Sequence, residues 1–146
     1  MLAVGAIGPA LVSGCATTGT MSTPRRAPDV DLPSAREAKA LTRGAIGTLT
    51  ATLARHPDLG TELHPLLAMH REHLRRLRSV NPGATLAPSP VKVPADPHRA
   101  LARIRAGEAS RATRLGALAG AAHSGGFARM LATMAAAIDQ RSGVTT

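Results

Sequence analysis

Two histidines, His70 and His73 in "AMHREHL", stand three apart and share one face of any helix that contains them. Glu108, in "RAGEAS", falls at the apolar register of a later helical stretch. Imidazole nitrogens and carboxylate oxygens are zinc and copper ligands, so His70, His73 and Glu108 form a candidate mononuclear metal set, with Glu37 as a fourth member. The same side chains can instead satisfy one another, because a carboxylate on an apolar face needs donors and an imidazole supplies them. A buried polar contact is therefore the expectation and the metal site its alternative.

Other chemistry finds little support. Ser110 and Ser124 have no histidine and acid at motif spacing, and "SGGF" lacks the preceding strand that would make it a phosphate loop. Met69, Met130 and Met134 at helical spacing read as core packing. His56, His64, His98 and His123 fall near helix ends or turns. No cofactor is expected.

The chain has one cysteine, which leaves no partner for an internal disulfide and no Cys-rich zinc site. Cys15 follows an apolar run, "LAVGAIGPALV" at residues 2–12, too short for a bilayer, which needs about 20 residues, but of signal-peptide length. The residues Val12, Ser13, Gly14 and Cys15 resemble a bacterial lipobox. That resemblance implies cleavage before Cys15, a diacylglycerol thioether on its sulfur, and a place on the extracytoplasmic face of the cell membrane. Residues 1–14 are then a signal peptide. The basic stretch usual ahead of such a run is lacking, so the true start is expected upstream. Residues 15–33, rich in Thr, Ser, Gly and Pro, read as the lipidated Cys and a flexible tether.

The remaining chain must position the polar trio. Its 44% apolar residues are almost all aliphatic, with one Phe and no Trp or Tyr, a composition that favours helix over sheet. The apolar period predicts helices over about 34–56, 58–80, 98–122 and 127–141, with a tail at 142–146. Ser34 and Glu37 have capping-box spacing, Pro65 predicts a kink or a separate first piece in the second helix, and "HSGG" predicts a glycine-terminated third helix. Gly44 and Gly47 suggest a close neighbour for the first helix. The proline-rich stretch 82–97 is long enough to carry the chain across the bundle. The predicted fold is all-α, a four-helix bundle over 34–141 made of two helical hairpins joined by this crossover.

With "ARHPDLGTELHPLLAMHREHLRRL" and the alanine-rich "RAGEASRATRLGALAGAAHSGGFARMLATMAAAIDQ", the chain resembles small actinobacterial lipoproteins with a ferritin-like helical domain. The resemblance implies a fold and a compartment more than an activity. A ferritin-like di-metal centre takes four carboxylates and two imidazoles from four helices, and this chain does not supply them. Its fourth helix has neither Glu nor His.

Net charge is +9, from 18 Lys+Arg against 9 Asp+Glu, without any long basic block. Attraction to polyanions follows, and anionic headgroups are the expected partners beside the lipid anchor at Cys15. The lack of aromatic stacking residues argues against nucleic acid. The expected role is a membrane-anchored binding or structural module at the cell envelope, more in keeping with a non-enzyme. A metal-binding or redox ferritin-like protein is the first alternative and a basic nucleic-acid binder the second.

Overall fold

The computed structural model describes residues 29–83 and 90–143; the lipobox residues Val12–Cys15, most of the tether and the end of the tail lie outside them. After a 3-10 turn at Asp29–Asp31 come α1 (Leu32–Arg55), a second 3-10 turn (Pro57–Leu59), α2 (Gly60–Val80), α3 (Pro97–Ala121) and α4 (Gly125–Gly143). Among the described residues there is no strand, and no helix is long and apolar enough to cross a membrane.

The fold is an all-α four-helix bundle. α1 packs along α2 and α3 along α4, while α1 also lies against α3 and α2 touches α4 more lightly. Short connections make each pair an antiparallel hairpin. Glu37 in α1 meets Arg114 in α3, and Asp31 before α1 meets the turn between α3 and α4. At the other end His56 reaches the residues that lead into α3. α3 therefore runs antiparallel to α1 and parallel to α2, so the end of α2 and the start of α3 are separated by the length of the bundle. That length is roughly 36 Å for a helix the size of α1, within reach of an extended link at about 3.3 Å per residue.

Several local expectations are corrected. Ser34 and Glu37 form no capping box: α1 opens at Leu32 because the preceding 3-10 turn has already bent the chain, and Glu37 is paired with Arg114. Of the two expectations for Pro65, the separate first piece is not found: Pro65 lies within α2 near its start, where its missing N–H leaves the carbonyl of the exposed Thr61 without its helical donor. The glycines of "HSGG" do not terminate α3. No described glycine has positive φ, α3 is followed by Ala122 in extended conformation, and Gly125 and Gly126 form the first turn of α4. Gly44 is exposed, and a Cβ added there would meet nothing within 4 Å, so no neighbouring helix approaches it.

The apolar interior forms two clusters. One joins Ala35 and Ala38 of α1, Leu77 and Val80 of α2, Leu115 and Leu118 of α3, and Phe127, Leu131, Met134 and Ile138 of α4. The other joins Leu49 with Leu63, Leu66 and Leu67 of α2 and Ile104 of α3. On α2 the histidines fall between the members of the two clusters, and on α3 Glu108 does the same. Met69, half-buried, packs against both.

Two polar side chains lock the ends of helices from a distance. Asp31 is 1% exposed, and its carboxylate accepts the backbone N–H groups of His123 and Ser124, both at 2.9 Å. This satisfies donors at the start of α4 and places negative charge at the positive end of its dipole. Asp31→Ala is expected to lower stability by about 1–2 kcal/mol and Asp31→Asn by less, because the amide oxygen still accepts one bond. An unchanged urea midpoint in the alanine variant would contradict the cap. Lys39, also buried, donates from Nζ to the carbonyls of Asn81 (2.9 Å) and Gly83 (2.7 Å), closing the C-terminus of α2. Burial, with Arg43 and Arg78 nearby, holds its pKa below the usual lysine value.

Candidate functional site

The polar layer is built by the register of α2 and α3. His70 follows Leu63, Leu66 and Leu67 on the buried face of α2, and Glu108 follows Ile104 on the buried face of α3, one turn before Ala112. Both His70 and Glu108 are 1% exposed, and His70 Nε2 stands 2.7 Å from Glu108 Oε2. The other carboxylate oxygen, Oε1, accepts from Arg111 Nη1 at 2.6 Å. Arg111 lies three residues along α3, so it is partly exposed at the head of a side chain whose stem runs inward. Thr42 on α1 is buried as well and spends its hydroxyl on the Ala38 carbonyl at 2.8 Å.

With Oε1 taken by a guanidinium, the carboxylate accepts on Oε2 and His70 donates from Nε2. The second nitrogen of His70, Nδ1, is buried without a partner, and so is Nδ1 of His73. The two rings stand edge to face, with centroids 5.8 Å apart and planes at 87°. Burial, above all, and then the neighbouring His70 and Arg76, push the His73 pKa down to about 4, against smaller opposing effects of Glu72 and Glu108. At neutral pH His73 is an uncharged ring.

The structure thus joins His70 to Glu108 directly and sets His73 beside His70 rather than on the carboxylate. Glu37 is not part of the layer. It forms a two-pronged surface pair with Arg114, Nη2 to Oε2 at 2.9 Å, which holds its carboxyl below the ordinary pKa. Glu72 faces outward and accepts from Arg75 and Arg76, which lower its pKa to about 2. Among the described residues no three or more His, Cys, Asp or Glu side chains converge where they could hold a metal ion.

The remaining candidates occupy ordinary positions. Met134 is buried, Met69 and Met130 pack on the core, and Ser124 stands just before α4, its carbonyl accepting from Ala128 and its hydroxyl from Phe127. His64 and His98 are exposed near the starts of α2 and α3. His56 caps α1 and lies 2.9 Å from the Pro94 carbonyl, which can only accept, so its Nε2 carries a proton.

Sequence reasoning did not single out Asp31, Lys39 or Arg111 as members of buried or capping networks. Only Arg111 had a local signal, its i+3 spacing from Glu108. Compared with known proteins, the chain matches no family model, no curated protein and no solved structure.

Proposed function

We propose that the protein is a lipoprotein held by Cys15 on the extracytoplasmic face of the cell membrane, its bundle serving as a binding or structural module at the envelope. The observation that carries this reading is the run "LAVGAIGPALVSGC" followed by a Thr-, Ser- and Pro-rich tether. The surface supports it: exposed arginines on α1, α2 and α3, among them Arg36, Arg71, Arg99 and Arg105, favour an anionic membrane face and add a second attraction to that of the anchor. The buried layer is in keeping with a structural role, since both oxygens of Glu108 are taken up inside the bundle, one by His70 and one by Arg111. Intact mass of the protein extracted from its native membrane tests the anchor. A mass equal to residues 15–146 plus acyl chains is expected, with Cys15→Ser moving the protein from the detergent to the aqueous phase. A free thiol on membrane-extracted protein overturns the reading.

A second reading, a metal-binding protein of ferritin-like build, has one observation behind it. His70 and His73 each keep a buried, unpartnered Nδ1, and the Nε2 of His70 is held by a carboxylate, the arrangement that orients a metal-ligating histidine. Dialysis against zinc followed by metal analysis decides it. Binding that is lost in His70→Ala/His73→Ala supports this reading, and stoichiometry unchanged by that pair of substitutions removes it.

A further inference from the structure

Away from the buried layer, two open clefts meet at one residue. The first, of about 540 Å³, lies where the last turn of α1, the link entering α3 and the first turns of α3 come together, and Arg55, Lys92 and Arg103 line it with no acidic side chain among them. The second, also about 540 Å³, follows the outer face of α1 from Arg43 to Ala54 and is walled by Ile46, Ala51, Leu74 and Val91. Val91 lines both.

The wall they share is fixed in place. Arg103 Nη1 donates to the Lys92 carbonyl at 3.1 Å, and His56 donates to the Pro94 carbonyl at 2.9 Å, so the link is pinned at two points against α3 and α1. The first cleft is lined by three cations and no acid, so an anion placed there is attracted by all three. The second offers small side chains, Gly47, Ala51 and Ala54, along one helix face, which leaves a shallow apolar trough. Its course along α1 is roughly 16 Å, the length of an extended alkyl chain of about a dozen carbons. Each volume falls within the ordinary range for a small-ligand site.

We propose that the joined clefts bind an anionic amphiphile, a single alkyl chain with a phosphate or carboxylate head, the chain along α1 and the head among Arg55, Lys92 and Arg103. The order of the clefts fits this class and no simpler one. An inorganic anion uses only the cationic end, and a neutral alkyl compound uses only the trough. The proposal does not rest on lipidation of Cys15, so a free thiol there leaves it standing.

Calorimetric titration of the purified full chain with dodecyl phosphate, below its micellar concentration, tests it against two controls, inorganic phosphate and dodecanol. Dodecyl phosphate is expected to bind at least tenfold more tightly than either. Arg55→Glu/Lys92→Glu, both exposed positions, is expected to weaken it tenfold or more without changing the helical circular dichroism. Ala51→Leu, which fills the trough, is expected to weaken dodecyl phosphate severalfold and leave inorganic phosphate unchanged. Equal affinity for dodecanol, equal affinity for inorganic phosphate, or indifference to the paired charge reversal would each overturn the proposal.

Discussion

Replacing Glu108 by alanine is expected to destabilise the bundle by roughly 3–5 kcal/mol, the largest loss of any single substitution in the polar layer. The carboxylate is 1% exposed and both its oxygens are used, one by His70 and one by Arg111. Removing it leaves the His70 Nε2 proton in the core with no acceptor, on a ring whose Nδ1 already has none. It also strips Arg111 of its charged partner. A protein of this size has about 5–15 kcal/mol in all, so the variant should be largely unfolded under mild denaturant. The reason is the asymmetry of buried polar pairs: breaking one costs far more than the pair itself contributes. Glu108→Leu/His70→Leu, which removes both members of the buried contact and fills the space with alkyl groups, should therefore recover the part of the loss that comes from His70, while Arg111 can turn its guanidinium to solvent. Urea unfolding of the two single leucine variants and the double gives the coupling directly. A loss below about 1 kcal/mol for Glu108→Ala, or additive single and double effects, would show that the contact is not the constraint described.

Much of the bundle could be read from the chain because its helices repeat Leu, Ala and Ile with one period, and such a stripe has one use, to face a core. The polar trio was legible for the same reason, since His70, His73 and Glu108 interrupt apolar stripes. Residues whose roles depend on distant partners were not legible. Asp31 caps α4 through the N–H of His123, 92 residues further along the chain, and nothing around it marks it as a cap. Lys39 occupies a buried register position, yet its ammonium is accounted for only by the carbonyls of Asn81 and Gly83. Ser34 and Glu37 carry a local capping signal that the tertiary structure overrides, the acid going to Arg114 instead. Arg55, Lys92 and Arg103 are unremarkable singly and become a cationic cleft only when the link passes between α1 and α3.

Acidification is expected to weaken the fold through His73 before most carboxylates titrate. Its pKa falls from 6.5 to about 4 on folding, chiefly because burial disfavours the charged ring. The unfolded chain thus binds a proton that the folded chain refuses between those values, and stability rises with pH across the window. The contribution is complete above about pH 6.5, shrinks as the pH falls, and is gone near pH 4. A shift of this size corresponds to at most about 3.5 kcal/mol, and screening by solvent near the edge of the layer brings the expected loss to roughly 1–2 kcal/mol. The opposite sign would hold if His73 were paired with an acid. His73→Leu separates the effect from the carboxylates: between pH 7 and pH 4.5 the urea midpoint of the wild type should fall further than that of the variant, whichever is higher at pH 7, because only the wild type loses the histidine contribution. Parallel curves over that range would mean that His73 accepts its proton in the folded state, and that the space beside His70 is wetter than its burial implies.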